Sequence, residues 1–308
     1  MQEEGTPVSG ARVLLFGASG FLGRHAAAAL RADDRTREVV PVGRSRPGWV
    51  RHDLTAGSPD ELASLLREVR PDAVVNCAGR LTGSAAELVA ANVEANARLV
   101  DAITDVLPST RLVVLGSAAE YGVVPEDRPV SEDAPANPVS VYGVSRLAGT
   151  QLVRVATTDG GLDGVVLRVF NPIGPGLHGE NLLGRAASGI RDALARGVDH
   201  VRLGPLGAYR DFVDVRDVAT AISSAALADE VPEPVLNVGS GKAVTCRDAV
   251  GLLAEAAGFT GEVVESDPPS ARSAAVHWIV ADLTRTNRAL DWSPAVDLRD
   301  SVRSVWTG

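Results

Sequence analysis

The sequence predicts an α/β fold, a doubly wound parallel sheet with a smaller C-terminal lobe, and three observations carry that expectation. Short β-branched runs alternate with Ala/Leu-rich segments of helical period; a glycine-rich turn joins the first run to the first helical segment; and the alternation loses its regularity after Phe170. Taken in order, residues 12–16, 39–42, 73–77, 111–115 and 164–169 read as buried strands, with 235–238 a later addition, because each is a continuous apolar run too short for a helix. Residues 22–31, 60–69, 85–107 and 141–157 carry apolar side chains at helical spacing and read as helices. Asn171, Pro172, Gly174, Pro175 and Gly176 then form a turn-rich stretch where a second lobe begins. The expected division is residues 1–171 with 212–240 in the first lobe, and 172–211 with 241–308 in the second.

Composition narrows the class. With 308 residues, 45% hydrophobic and 22% charged, the chain can bury a substantial core and has none of the bias of a disordered or fibrous protein. A net charge of −9 sets up a long-range field that repels phosphate backbones, which argues against an extended nucleic-acid surface but leaves room for a local basic pocket. Cys77 and Cys246 have no paired spacing, so neither a disulfide framework nor a zinc site is expected, and no other metal site is indicated; a reducing cytoplasm fits best. Residues 1–12 are polar and acidic, and the apolar run after them breaks at Gly17, unlike a secretory signal or a membrane span. The expectation is a soluble cytoplasmic protein without a membrane or nucleic-acid partner. Lys242 is the only lysine, so any arginine standing where a lysine is usual has a compositional reading beside a functional one.

The first chemical motif is Gly17-Ala18-Ser19-Gly20-Phe21-Leu22-Gly23, placed directly after the first strand and opening the first helix. Glycines there let the backbone turn tightly and approach a pyrophosphate, while free amides at the helix N-terminus receive its charge. The spacing is GxxGxxG, and a plain strand-to-helix turn is the alternative. Where an acidic side chain would bind the ribose of NAD, about 20 residues beyond the loop, this sequence reads Gly43-Arg44-Ser45-Arg46. Arg44 or Arg46 cannot accept those hydrogen bonds but can clamp a 2′-phosphate, which favours NADP over NAD; otherwise both are solvated loop arginines.

GASGFLG, the HDL segment with Asp53 and Leu54, VVNCAG with Cys77, Ala78 and Gly79, Asn92, GSAAEYG, YGVSR and YRDFVDVRDVA occur in the order found in extended short-chain dehydrogenases/reductases, and the resemblance spans essentially the whole chain. It implies a Rossmann core and places Gly17, Ser19, Gly20, Phe21, Leu22, Gly23, Asp53, Leu54, Cys77, Ala78, Gly79 and Asn92 at the cofactor. A Tyr-x-x-x-Lys pair working with a Ser or Thr is the family's catalytic set; the matching residues are Tyr142 and Ser117, with Arg146 where the lysine stands. Residues four apart on a helix share a face, so a cation at Arg146 lies near both the cofactor ribose and the phenol one turn earlier. Arginine keeps the charge but changes its geometry, so both a working enzyme and a catalytically impaired cofactor sensor stay open.

The second lobe is similar to nucleotide-sugar reductases, dehydratases and epimerases. Arg168 to Gly176 resembles the segment beneath the nucleotide sugar, and GENLLGRAASGI is similar to GDP-mannose dehydratase-like sequences. The resemblance puts Asn171 and Asn181 near the sugar or diphosphate and Arg210 and Arg272 at the phosphates; each arginine alone also reads as a surface or salt-bridging residue. The acid that 4,6-dehydratases carry two residues after the catalytic Ser/Thr is Ala119 here, and Glu120 is one place further on. Dehydration is therefore disfavoured. The expected function is NADPH-dependent reduction of a nucleotide-linked 4-keto-6-deoxyhexose, or another small carbonyl substrate, with Tyr142 as proton donor. C4 epimerisation and the sensor role are the alternatives, and a homodimer is implied by resemblance alone.

Overall fold

The computed structural model describes residues 10–177, 179–268 and 275–308. The first half runs β1 (Ala11–Phe16), α1 (Phe21–Ala32), β2 (Thr36–Gly43), β3 (Val50–Arg51), α2 (Pro59–Val69), β4 (Ala73–Asn76), α3 (Ala85–Val89), a π-helical turn (Ala90–Glu94), α4 (Ala95–Val106), β5 (Arg111–Ser117), a 3-10 turn (Ala118–Glu120), α5 (Val141–Thr158) and β6 (Asp163–Val169). The second runs β7 (Asn171–Ile173), α6 (Leu182–Arg196), β8 (His200–Leu203), β9 (Tyr209–Arg210), β10 (Phe212–Asp214), α7 (Val215–Leu227), β11 (Val235–Val238), β12 (Val244–Thr245), α8 (Cys246–Ala257), β13 (Glu262–Glu265), α9 (Thr284–Leu290) and α10 (Leu298–Thr307).

The expected doubly wound sheet is present: seven strands in the order β11-β6-β5-β4-β1-β2-β3, every neighbouring pair parallel. Strand order reverses between β1 and β4, so the C-terminal ends of these two strands open the crevice in which such sheets bind ligands. Period-two alternation decides which face each side chain serves. Val13 and Leu15, fully buried, join the cluster containing Ala26 and Leu30 of α1 and Val218 and Ile222 of α7. Leu14 and Phe16 join the cluster on the opposite face with Leu62, Leu66, Leu99 and Ile103. The helix expected over residues 85–107 is interrupted by the π-helical turn, which holds Asn92. No spacing rule announces such a turn, and such bulges are frequent at functional sites.

A separate cluster joins Ala186 and Ile190 of α6, Ala249 and Leu253 of α8, and Val302 and Val305 of α10. Leu290 and Trp292, in contrast, belong to the α1–α7 cluster, where the Trp292 indole donates to Thr220 Oγ1 at 2.9 Å. Among the described residues, no helix is long and apolar enough to cross a membrane, and no group of three or more His, Cys, Asp or Glu side chains is arranged to hold a metal.

Candidate active site

The glycine turn meets the crevice as its spacing requires. Gly17 has φ +72°, and a Cβ there would lie 2.5 Å from the Ala78 amide nitrogen at the end of β4. A Cβ on Gly23 would lie 2.0 Å from the Gly17 carbonyl oxygen, so α1 presses directly on the turn. Gly20 precedes α1 in extended conformation and provides no side-chain cap, and the first turn holds no acidic residue. Among the described helices that start from an extended residue, α1 and α6 lack a side-chain cap, whereas α2, α3, α5, α7, α8 and α10 have one. Open amides at an N-terminus favour an anion, so the cradle fits a dinucleotide pyrophosphate.

Ser19 is exposed, and Phe21 and Leu22 are half-buried at the start of α1. Arg44 and Arg46 are exposed just beyond β2, with the Arg46 guanidinium 4.7 Å from the Trp49 ring centroid. Leu54 is buried, and Asp53 Oδ1 accepts from the amide and hydroxyl of Thr55. Those hydrogen bonds, and more weakly Arg44, hold the Asp53 carboxyl below its usual range. Burial pushes the Cys77 thiol up to about 12, with Arg146 opposing, so Cys77 serves as a neutral wall. Asn92 is buried and fully engaged: its oxygen accepts from the Arg80 amide, and its nitrogen donates to the Arg80 carbonyl and Ser145 Oγ. It braces the 79–80 loop against α5.

Tyr142 and Arg146 lie one turn apart on α5, with the guanidinium carbon 5.4 Å from the phenol ring centroid. Arg146 Nη1 donates to the Leu115 carbonyl at 3.0 Å, while its buried Nε has no hydrogen-bond partner. The guanidinium also lies over Gly79, where a Cβ would come within 2.6 Å of Nη2. Ser117 ends β5, and its Oγ accepts from the Ala119 amide at 3.2 Å. Glu120 stands in a 3-10 turn instead of continuing the strand, is fully buried, and pairs with Arg168 at 2.8 Å. Breaking such a pair by removing one partner costs about 3–5 kcal/mol. Ala119, where a dehydratase carries its acid, faces the cavity described next.

That cavity has a volume of about 860 Å³ and brings together Ser117, Tyr142, Asn171, Asn181 and Arg210 from both halves of the chain. The Asn171 side-chain nitrogen donates to the Asp211 carbonyl, and Asn181 precedes the uncapped start of α6. Arg210 is buried, donates to the carbonyls of Tyr209 and Val276, and is held below its usual pKa by that burial. Arg272 falls outside the described residues. Among the wall residues not singled out from the sequence are Arg185, Arg202 and His277, all exposed. Arg202 was legible, because Val201 and Leu203 are buried and strand alternation turns the residue between them outward. Asp211 was also passed over. Its buried carboxylate accepts from the amides of Ser240, Gly241 and Ala281, tying two distant segments to the residue that follows Arg210.

The family model described as the NAD dependent epimerase/dehydratase family matches residues 13–239. A dTDP-6-deoxy-L-talose 4-dehydrogenase (NAD(P)(+)) of Kitasatospora kifunensis is 39% identical over 305 residues, covering 96% of this chain and 95% of that protein. A GDP-6-deoxy-D-mannose reductase of Pseudomonas aeruginosa is 30% identical over 302 residues, covering 96% and 95%. Among solved structures, RMD from Pseudomonas aeruginosa complexed with NADPH matches with a TM-score of 0.83 and 28% identity, covering 97% of each chain. MoeE5 in complex with UDP-glucose and NAD matches with a TM-score of 0.80 and 30% identity, covering 96% and 98%.

Proposed function

The chain belongs to the NAD dependent epimerase/dehydratase family, and from that premise we propose that it is an NADPH-dependent reductase of a nucleotide-linked 4-keto-6-deoxyhexose. The enzyme class is that of extended short-chain dehydrogenases/reductases, NAD(P)-dependent oxidoreductases and epimerases of nucleotide sugars. What carries the finer reading is the convergence of Ser117, Tyr142, Asn171, Asn181 and Arg210 on one cavity, with Arg146 behind the tyrosine. Bound NADPH supplies the hydride from its nicotinamide C4. Gly17, Ser19, Gly20, Phe21, Leu22 and Gly23 hold the pyrophosphate end, Asp53, Leu54, Cys77, Ala78 and Gly79 line the rest of the crevice, and Arg44 with Arg46 receives the 2′-phosphate. Ser117 Oγ hydrogen-bonds the sugar C4 oxygen, and Tyr142 gives that oxygen its proton. Asn181 and the open start of α6 face the diphosphate together with Arg210. Ala119 on the cavity wall and the burial of Glu120 disfavour dehydration, because neither supplies an acid two residues after Ser117.

The test is turnover on a panel. dTDP- and GDP-linked 4-keto-6-deoxyhexoses are expected to consume NADPH stoichiometrically, and NADPH is expected to bind about ten-fold more tightly than NADH, the weight of one good charged contact. Cofactor retained without net consumption would instead indicate epimerisation. Equal or tighter binding of NADH would defeat the 2′-phosphate assignment.

Gly17→Ala is expected to abolish NADPH binding in a fluorescence titration. The new Cβ meets backbone rather than a movable side chain, and a left-handed non-glycine residue costs about 1–3 kcal/mol by itself. Retained affinity would show that the cradle is not the binding site. The homodimer is proposed on an exposed stripe of α5, Val141, Val144, Leu152 and Val155, beside exposed Val89 of α3. Light scattering should give twice the 31.9 kDa chain mass. A monomer would leave that stripe unexplained.

A further inference from the structure

We propose that Glu120, which takes no part in the chemistry, is the positioning residue that holds Ser117 and Tyr142 in register; the inference rests on the catalytic roles proposed above. Two elements must be fixed relative to each other for that pair to work: the end of β5, which carries Ser117, and α5, which carries Tyr142. Glu120 binds both. Its Oε1 accepts from the Ser117 amide at 2.8 Å and from Thr150 Oγ1 at 2.9 Å, and its Oε2 accepts from Arg168 Nε at 2.8 Å.

Each bond has a separate geometric consequence. The bond to the Ser117 amide, together with Ser117 Oγ accepting from Ala119, closes a reciprocal cap that fixes Ser117 at φ −151°, ψ 146°. The backbone torsions of Ser117 then set the direction of its Cα–Cβ bond, and the bond from the Ala119 amide sets the rotamer of its Oγ. Thr150 lies on α5 four residues after Arg146 and eight after Tyr142, so one stripe of the helix carries the proton donor, the cation and the anchor. Arg168 on β6 satisfies the second carboxylate oxygen, so the charge is compensated where it is fully buried. The neighbouring residue agrees: a Cβ on Gly116 would lie 2.6 Å from Glu120 Oε1, so the strand end carries glycine where the carboxylate passes.

The mechanism predicts coupling to Ser117 in turnover, beyond a loss of stability. With the nucleotide sugar that turns over in the panel, Glu120→Gln is expected to lower kcat about ten-fold or more, with KM and NADPH affinity each within about two-fold. In a Ser117→Ala background the same change should cost less than about three-fold, because the group it positions is gone. Since Glu120→Gln leaves Arg168 buried beside an amide and puts the fold at risk, Thr150 provides a milder reading of the same hub. Thr150→Val should lower kcat about five-fold at unchanged KM, and Thr150→Ser, which keeps the hydroxyl, should stay within about two-fold of wild type. Equal losses in both Ser117 backgrounds, a loss confined to KM, or wild-type kcat in Thr150→Val would each overturn the positioning role alone. Wild-type turnover in Ser117→Ala would overturn the catalytic site on which it rests.

Discussion

Tyr142→Phe is expected to lower kcat by about 10² to 10⁴-fold while leaving NADPH affinity and the melting temperature unchanged. The range is that of a single general acid removed from the transition state, about 3–5 kcal/mol of barrier. The substitution is selective because only the hydroxyl goes: the ring that faces Arg146 remains, and so does the volume it fills in the cavity wall. Tyr121 makes a useful contrast. It is fully buried, donates to Asn237 Oδ1 at 2.7 Å, and burial pushes its phenol up to about 12, so Tyr121→Phe should cost stability with little effect on the chemical step. Steady-state kinetics with a thermal melt on both variants separates the two roles. A loss below ten-fold in Tyr142→Phe would remove it as the proton donor.

The parallel sheet and the glycine turn between β1 and α1 were legible in the sequence because each follows from a local rule. Strands β1, β4, β5 and β6 are continuous apolar runs, as buried parallel strands must be. The glycines sit where a Cβ would strike backbone, and a strand-turn-helix context announces that. What stayed hidden depends on partners distant in sequence. Glu120 reads as an acid one place out of register, and only Arg168, 48 residues on, and Thr150, 30 residues on, show that it faces the interior. Asp211 sits within a recognisable motif, yet its role is set by amides of segments 29 to 70 residues away. The π-helical turn at Asn92 leaves the apolar spacing of the helix nearly intact, so periodicity alone cannot report it.

Arg146 gives the second large expected effect, and its direction follows from three contacts. Its Nη1 donates to the Leu115 carbonyl, its Nη2 lies against Gly79, and its carbon is 5.4 Å from the Tyr142 ring, so the cation stands between the strand ends and the tyrosine. Arg146→Ala removes the cation beside the Tyr142 ring and strips the Leu115 carbonyl of this donor; a kcat loss of about 10²-fold or more is expected. Arg146→Lys keeps the charge on a point donor that cannot reproduce the planar fork. If arginine supports turnover, the lysine variant should retain kcat within about ten-fold of wild type, and stopped-flow measurement of NADPH oxidation reads the step directly. If arginine is instead the lesion of an impaired relative that senses cofactor, wild type should bind NADPH without consuming it and the lysine variant should gain turnover. The two outcomes have opposite signs, so one substitution decides whether the buried Nε of Arg146, which has no partner within the protein, belongs to a working site.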